Sequence, residues 1–439
     1  PTPGYSGMDS FTFKVNDSSA DSAPATVSIT VGQKNQPPSF TLPKVPSGLW
    51  ARGRNSNGQL GNGNNKDQSR LAPSDVAEDW ASLACGAQHT VAIKQNGSLW
   101  AWGADAYGQL GNGDAGAQSR PQQILSPATA WKMVACGAQH TVAITRDGRL
   151  FAWGSNSSGQ LGTGNLPAQL SPVQIGTAEN WRWIACGGGD TGAVNIDGQL
   201  WSWGNNSRGQ LGRATTEQGA TPFFEPGRVG AATDWQSAAC GGDHTLAVKQ
   251  NGELWSWGRN ELGQLGRTTS GQGSTPASEP GRVGTETDWQ SVACGKLHTL
   301  AVKKDGRMFA WGGGSEGQLG LPNKPSSVAS PTQIGAETDW QSATCGNFSK
   351  FAVKRDGRLF TWGDTIVDTP MQIGSDKDWR LVVGGAQHTV ALKRNNSLKW
   401  VKNGGQRTIP GVAPNIPARP PGGPAQGGGV FVTAGRVFR

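Results

Sequence analysis

LWSWGNNSRGQLGR, residues 200–213, decides the fold because the chain repeats it. Close copies are LWAWGADAYGQLGN from Leu99, FAWGSNSSGQLGT from Phe151 and LWSWGRNELGQLGR from Leu254. The tripeptide Gln-Leu-Gly recurs at intervals of 50 to 54 residues, starting at Gln59, Gln109, Gln160, Gln210, Gln264 and Gln318. A repeat of this length is typical of a solenoid or a propeller.

A second phrase runs in step with the first: Trp, four residues, Cys-Gly, two residues and His-Thr. Its beginning occurs seven times, at Trp80, Trp131, Trp181, Trp235, Trp289, Trp340 and Trp379. The last unit is shortened, since WGDTIVDTPMQIG (residues 362–374) has no Gln-Leu-Gly. The sequence therefore predicts seven units.

Each unit has the pattern of a small antiparallel sheet. In HTVAIKQNGSLWAWG (residues 89–103), Asn-Gly separates two short apolar runs. Asn-Gly and Asp-Gly are strong hairpin signals because both turn positions require positive φ. We predict about four short strands per unit, arranged radially so that neighbouring sheets cover each other. Tryptophans would fill the wedges between sheets, and the leucine of Gln-Leu-Gly would plug the interface.

The units resemble the RCC1 repeat, with its LW-x-WG, N-x-x-GQLG and W-x-x-VACG-x-x-HT-x-A phrases, over about residues 49–400. The resemblance implies a seven-bladed β-propeller of bacterial type. We therefore predict an all-β fold, a seven-bladed propeller of RCC1-like repeats with a partial N-terminal β-hairpin. Four residues depart from the pattern: Arg52, Asp190, Ser349 and Gly384. Either LW at 49–50 or SLKW at 397–400 could complete the ring.

Composition divides the chain into five predicted segments. These are a partial immunoglobulin- or cadherin-like hairpin (1–35), a linker (36–48), the propeller (49–403), a Pro/Gly-rich linker (404–429) and a short β segment (430–439). The hairpin is too short for a sandwich of about 100 residues, so we expect more sequence upstream. Docking on the propeller or strand donation to a neighbouring subunit are the alternatives. The C-terminal segment is predicted to be an added strand, an attachment tail or a frayed end.

Charge argues against a nucleic-acid partner. The chain has 39 basic and 31 acidic residues, for a net charge of +8. Residues 398–439 contain six basic residues and no acidic one, so little net charge remains on the propeller, where a nucleic-acid footprint would lie. No apolar run approaches the length of a membrane span.

The histidines and cysteines occupy repeat positions. All five histidines share one slot: His89, His140, His244, His298 and His388. We expect each ring to bond a neighbouring strand or loop, with a metal-binding ring as the alternative. The six cysteines share another slot and are predicted to be free thiols packed near the axis: Cys85, Cys136, Cys186, Cys240, Cys294 and Cys345. We predict no catalytic residue, metal or cofactor.

One loop offers a candidate contact site. EQGATPFFEPGR (217–228) is nearly repeated as GQGSTPASEPGR (271–282), with Phe223 and Phe224 in place of Ala-Ser. Adjacent aromatics at such a position predict a binding patch, which Arg228 and Arg282 could frame, or simple loop filling.

These features favour a non-enzymatic binding or structural propeller, secreted or at a bacterial cell surface. Its partner would be a protein or a surface polymer bound by loops on one face. The resemblance also implies guanine-nucleotide exchange on a small GTPase, which in that family depends on a wedge and a basic N-terminal tail that we do not find here. A third hypothesis is an extracellular fibre, assembled from copies of this chain through the N-terminal hairpin.

Overall fold

The computed structural model describes residues 48–74, 79–126, 130–213, 223–269, 277–347, 350–363 and 367–394 with their side chains. It describes the backbone of seven further strands: Gly7–Phe13, Ala25–Val31, Ser39–Thr41, Leu398–Lys402, Gly405–Ile409, Val432–Thr433 and Arg436–Val437. The regular secondary structure of these described residues consists of β-strands. None of the described residues forms a helix of the length and apolarity needed to cross a membrane.

The repeats form seven four-stranded antiparallel sheets, the blades, which we number in ring order from the unit of Trp80. The innermost strands are Trp80–Cys85, Trp131–Cys136, Trp181–Cys186, Trp235–Cys240, Trp289–Cys294, Trp340–Cys345 and Trp379–Gly384. The second strands are His89–Lys94, His140–Thr145, Asp190–Asn195, His244–Lys249, His298–Lys303, Lys350–Lys354 and His388–Lys393. The third strands are Leu99–Gly103, Leu150–Gly154, Leu200–Gly204, Leu254–Gly258, Met308–Gly313, Leu359–Gly363 and Leu49–Gly53. The outer strands are Gln118–Gln123, Gln169–Gln174, Phe223–Arg228, Ala277–Arg282, Ser327–Gln333, Val367–Gln372 and Gln68–Pro73. The predicted seven-bladed all-β fold is confirmed.

Blade 7 closes the ring by combining strands from both ends of the repeat region. Leu49–Gly53 pairs with His388–Lys393, with Leu392 opposite Leu49 and His388 opposite Gly53. The competing strand, Leu398–Lys402, pairs with Gly405–Ile409 instead. The residue after Leu49-Trp50 is Ala51, which is buried between blades, whereas Leu398 is followed two residues later by Trp400. An indole does not fit where the other blades place Ala, Ser or Thr, and overpacking of a core is destabilising.

Gln-Leu-Gly lies in the loop between the third and outer strands of a blade and packs against the next blade. The glycine of blade 1, Gly111, has φ +78°, and a Cβ there would lie 2.6 Å from Nε1 of Trp153 in blade 2. The preceding leucine is fully buried in all six copies: Leu60, Leu110, Leu161, Leu211, Leu265 and Leu319. The indole of the following blade lies directly against this glycine. The tripeptide therefore forms a turn and also provides the surface on which that tryptophan packs.

Antiparallel pairing gives the ring two chemically different faces. The turns between the innermost and second strands lie on the same side as the Gln-Leu-Gly loops, and Ala104 N–H, for example, donates to Gln88 C=O across them. The Asn-Gly and Asp-Gly turns lie at the other end of the strands. We call these the Gln-Leu-Gly face and the Asn-Gly face.

The chain divides into two compact units, residues 1–46 with 395–417, and residues 47–394 with 418–439. In the first unit, Gly7–Phe13 and Ala25–Val31 form an antiparallel pair, and Ser39–Thr41 pairs with the second of these strands. Its kinship with an immunoglobulin- or cadherin-like repeat stays a prediction, as do the segment boundaries. Ser349 and most of the two predicted linkers lie outside the described residues.

Candidate functional site on the Gln-Leu-Gly face

The histidine slot forms hydrogen bonds between blades. His89 Nε2 in blade 1 lies 3.1 Å from Thr141 Oγ1 in blade 2, and that hydroxyl donates to Gln109 C=O of blade 1 at 2.8 Å. Since a threonine hydroxyl has one proton, Nε2 must be the donor to Oγ1. Trp153 Nε1 of blade 2 donates to the same carbonyl at 3.0 Å. We call this arrangement the His-Thr-Gln relay.

The relay recurs at three more interfaces. The histidine-to-threonine distances are 3.0 Å for His140 and Thr191, 3.2 Å for His244 and Thr299, and 3.0 Å for His388 and Thr90. Burial lowers the pKa of His89 and His140 to about 3, and that of His244 and His388 to about 4. The rings are therefore neutral hydrogen-bond donors at physiological pH.

At three interfaces the sequence replaces the histidine or the threonine of the relay; one of these, at Ser349, lies outside the described residues, and the other two are described. Lys350 of blade 6 stands where threonine would face His298, and its buried ammonium donates to Gly346 C=O at 3.3 Å. Asp190 of blade 3 stands in the histidine slot, where burial raises its pKa to about 8. At neutral pH this carboxyl is therefore mainly protonated.

The cysteines connect the innermost strands around the axis. All six are free thiols. The thiol of Cys294 lies 3.3 Å from Ala239 C=O in the preceding blade, and that of Cys345 lies 3.5 Å from Ala293 C=O. Burial raises the pKa of Cys85 and Cys345 to about 12. Such thiols stay protonated, so they are neither nucleophiles nor thiolate ligands at physiological pH.

The channel mouth lies at the centre of the Gln-Leu-Gly face. The Cys-Gly turns of blades 1 to 6 and the Gly384-Gly385 turn of blade 7 line a cavity of about 350 Å³ there. Backbone bonds run between neighbouring turns, such as Gly188 N–H to Gly241 C=O at 3.1 Å and Ala386 N–H to Gly86 C=O at 3.3 Å. Apart from Asp243, Lys296 and Asn347, the lining residues are Cys, Gly and Ala, so the wall consists mainly of backbone and small side chains. The described residues contain no cluster of three or more metal-ligating side chains.

Phe223 and Phe224 begin the outer strand of blade 3, on the Gln-Leu-Gly face, and both are half-buried. The guanidinium of Arg213 lies 4.5 Å from the ring centroid of Phe223. Phe224 C=O accepts from Gly164 N–H of blade 2 at 3.0 Å, so this part of the strand also covers an interface between blades.

The two arginines lie on the other face. Arg228 ends the same six-residue strand as Phe223, about 17 Å away along the backbone. It donates to Ala231 C=O at 2.7 Å. Arg282 is at the matching end of the outer strand of blade 4 and pairs with Glu253 at 3.2 Å. The structure does not bring the arginines and the two phenylalanines together.

Exposed apolar residues that the repeat pattern did not single out extend the phenylalanine patch. Tyr107 of blade 1 and Leu166 and Leu170 of blade 2 are 44%, 46% and 41% exposed on the Gln-Leu-Gly face. A Cβ on Gly108, next to Tyr107, would lie 2.6 Å from Leu170 Cδ2, which places the two blades' residues side by side. Phe224 occupies in blade 3 the place of Leu170 in blade 2, against Gly159. We call Tyr107, Leu166, Leu170, Phe223 and Phe224 the apolar arc.

The remaining blades carry smaller or polar residues at the place of Leu170. These residues are Ser119, Ser278, Ala329 and Asp368 in blades 1, 4, 5 and 6, and Ser69 in blade 7. An alignment of the six Gly-Gln-Leu-Gly segments, each set beside the outer strand of the following blade, would have revealed this difference.

Comparison with known proteins places this chain in the RCC1 family. Residues 177–407 match the RCC1-like domain, and residues 48–93, 96–144 and 147–194 match the regulator of chromosome condensation (RCC1) repeat. The chain is 32% identical over 329 residues to the ultraviolet-B receptor UVR8 of Arabidopsis thaliana, covering 72% of each protein. The chain therefore belongs to the RCC1-repeat β-propeller family.

Further relatives agree on the fold. RUG3, a mitochondrial RCC1 domain-containing protein of Arabidopsis thaliana, is 30% identical over 241 residues, which cover 53% of this chain and 54% of RUG3. Prp20p of Saccharomyces cerevisiae superposes with a TM-score of 0.71 at 23% identity, over 80% of this chain and 92% of that chain. Human WBSCR16 superposes with a TM-score of 0.70 at 22% identity, over 79% and 98%. The two structural comparisons bear on the fold alone.

Proposed function

We propose that this protein is a non-enzymatic binding propeller that engages a protein partner through the apolar arc on its Gln-Leu-Gly face. The observation that carries the proposal is the grouping of exposed Tyr107, Leu166 and Leu170 on adjacent blades. Exposed apolar side chains that lie together, rather than singly, are typical of protein interaction sites. A surface polymer is the alternative ligand for the same face.

The chemistry of the repeat slots supports a binding role. The histidine and threonine side chains of the relay hold neighbouring blades together, and the thiols of Cys85, Cys240, Cys294 and Cys345 lie at hydrogen-bond distance from backbone carbonyls of the preceding blade. By contrast, the loops of the Gln-Leu-Gly face differ from blade to blade, and loops on a rigid scaffold are where binding residues concentrate.

The test compares two triple variants of the full chain. Tyr107→Ser, Leu166→Ser and Leu170→Ser together remove most of the arc, whereas Leu125→Ser, Ile196→Ser and Met371→Ser remove exposed apolar residues of the Asn-Gly face. Each protein is used as bait in cross-linking mass spectrometry in its native host. We expect partners captured by the wild type and the second variant to be lost from the first. Identical partner sets for all three proteins would rule out the arc as the binding surface.

Guanine-nucleotide exchange is a second candidate because of the fold shared with Prp20p, whose binding to Gsp1p and histones is described. Release of a fluorescent guanosine diphosphate from Gsp1p, measured with and without this chain, distinguishes the candidates. Faster release would favour exchange over a purely structural binding role. An unchanged rate would remove this candidate.

We further propose a cell-surface or secreted location, on the sequence pattern of the N-terminal hairpin and its antiparallel pairing of Gly7–Phe13 with Ala25–Val31. A surface-attached assembly of copies of this chain is the related alternative. Fractionation of the source cells, followed by electron microscopy of the surface fraction, tests both. Recovery of the protein only inside the cell would exclude them.

A further inference from the structure

The C-terminal segment contains a small hairpin within the propeller unit. Val432–Thr433 and Arg436–Val437 pair antiparallel, with Val432 opposite Val437 and Thr433 opposite Arg436. The segment GVFVTAGRVFR (residues 429–439) is rich in valine and phenylalanine and contains two arginines. A two-stranded hairpin is at best marginally stable in water, so this one requires a surface to pack against.

The strands that contact this hairpin belong to different parts of the ring. Val432–Thr433 lies against the innermost strands Trp289–Cys294 of blade 5 and Trp340–Cys345 of blade 6. Arg436–Val437 lies against Trp80–Cys85, the innermost strand of blade 1. Blades 5 and 1 are three places apart in a ring of seven, which puts them nearly opposite each other. A hairpin that reaches both innermost strands must lie across the axis.

We propose that the central channel is a peptide-binding site whose occupant is this chain's own C-terminal hairpin, residues 432–437. The hairpin is held as an intramolecular ligand between blades 1, 5 and 6. Even with residues 398–409 folded as a hairpin, the chain of residues 410–431 can span about 70 Å when extended, so its length does not prevent the C-terminal hairpin from entering either end of the channel.

The chemistry of the channel suits such an occupant. Six of its seven innermost strands end in Cys-Gly turns, where burial raises the thiol pKa, and neighbouring turns at the mouth bond to one another through their backbones. Asp243 and Lys296 are the charged residues of the described lining, and the rest of the wall offers mainly small, uncharged contacts. That environment selects a short, apolar, β-prone peptide over an acidic or strongly polar one.

Photocross-linking of the full chain tests the placement. Benzoylphenylalanine is introduced at Thr433 in one variant and at Arg436 in another, with Val412 as a control position in the Pro/Gly-rich region. We expect position 433 to cross-link to residues 289–294 or 340–345, and position 436 to residues 80–85, all within one chain. Cross-links to outer strands, cross-links between chains, or labelling equal to that from position 412 would overturn the proposal.

A peptide added in trans tests occupancy. The full-length double variant Val432→Asp and Val437→Asp should release the hairpin, because moving two carboxylates from water to a wall of mainly small, uncharged residues would be costly. The fluorescent peptide of residues 429–439 should then bind this variant at least tenfold more tightly than the wild type. The matched variant Val412→Asp and Ile416→Asp should behave as the wild type. Equal binding by all three proteins, or none to the first variant while its far-ultraviolet circular dichroism is unchanged, would contradict an occupied peptide site.

Discussion

Threonine is the residue on which each His-Thr-Gln relay depends, since its hydroxyl both accepts from histidine and donates to the Gln carbonyl. Thr141 links Nε2 of His89 to Gln109 C=O across the first interface. The relay explains why the sequence places His and Thr side by side: the histidine serves the following blade and the threonine serves the preceding one.

Thr141→Val should therefore destabilise the propeller by about 1–3 kcal/mol, because Nε2 of His89 and Gln109 C=O lose a buried partner while the side-chain shape is kept. Thr332→Val is the control, since that hydroxyl bonds Ser330 C=O at the surface. The measurement is the urea midpoint followed by tryptophan fluorescence. Equal midpoints for the two variants would show that the relay contributes no stability.

Asp190 gives the propeller a distinct pH dependence. Its pKa is about 8 in the folded chain, against an ordinary value of 3.8. Between pH 3.8 and pH 8 the carboxyl is therefore protonated in the folded chain and ionised in the unfolded chain. The resulting stability is complete below about pH 4 and is lost as the pH rises through 8.

Asp190→Asn keeps a neutral side chain at every pH and should remove this loss. Relative to the variant, the wild type should lose on the order of a few kcal/mol of unfolding free energy between pH 5 and pH 8. The five histidines are present in both proteins, so their titration cancels in the comparison. Parallel stability curves for the two proteins would show that Asp190 is ionised in the folded state.

At the scale of the strand, blade 3 carries a packing defect beside Asp190. Gly192 stands where the second strands of the other blades have Val91, Val142, Leu246, Leu300, Phe351 and Val390. A Cβ on Gly192 would lie 3.6 Å from Cys240 Sγ, an ordinary contact distance. The strand therefore has room for a side chain that its sequence does not provide.

Gly192→Ala should stabilise the protein by about 0.5–1 kcal/mol, since it fills this space and reduces the freedom of the unfolded chain. Gly187→Ala in the same blade is the opposite case, because its Cβ would lie 2.5 Å from Gly241 C=O. Thermal unfolding of both variants should shift in opposite directions. A fall in melting temperature for Gly192→Ala would mean that the folded blade does not tolerate a side chain at this position.

In several blades a lysine at the end of the second strand forms an ion pair and cation–π contacts near the Asn-Gly face. In blade 5, Lys303 pairs with Asp288 at 3.0 Å, and its ammonium lies 4.9 Å from the ring centroid of Trp289 and 5.2 Å from that of Phe309. Blade 2 has Thr145 at this place. The lysine contacts therefore add stability to some blades but are not needed for a blade to fold.

Lys303→Met should cost about 1–2 kcal/mol, because the methionine keeps the apolar stem but loses the ion pair and the cation–π contact. Lys304→Met, at the exposed neighbouring position, should be nearly neutral. Chemical denaturation in low and high salt is the measurement. Salt should reduce the difference between the two variants, and a difference independent of salt would point to packing alone.

For the whole molecule, closure by Leu49–Gly53 is the decisive feature, because it joins the two ends of the repeat region in one sheet. The loop that follows this strand supplies Gln59 C=O to both Thr90 and Trp102 of blade 1. Without residues 49–73, Thr90 and Trp102 of blade 1 would lose the carbonyl of Gln59, and blade 7 would lose two of its four strands.

A chain of residues 48–394 should therefore unfold in one cooperative transition. A chain of residues 75–403, which keeps Leu398–Lys402 but lacks the two closing strands, should unfold at a markedly lower midpoint. Calorimetry and urea denaturation of the two chains provide the comparison. Equal stability would show that Leu398–Lys402 can replace Leu49–Gly53 in blade 7.

Periodicity alone was enough to predict seven four-stranded blades, because the Gln-Leu-Gly and Trp-to-Cys phrases recur with every blade and the Asn-Gly turns mark its central hairpin. The buried role of the leucine also followed from the repeat. Interactions between units do not follow from the repeat: the histidine of one blade bonds the threonine of the next, about 50 residues away, and this pairing exists only once neighbouring blades have packed together.

Tertiary structure also decided which residues share a surface. Phe223 and Arg228 are close in sequence, yet they lie at opposite ends of a strand, whereas Gly108, next to Tyr107, lies against Leu170 of a different unit. The choice of Leu49–Gly53 over Leu398–Lys402 was likewise open, since both begin like a third strand. It was settled by the space between blades, which accepts Ala51 and has no room for an indole.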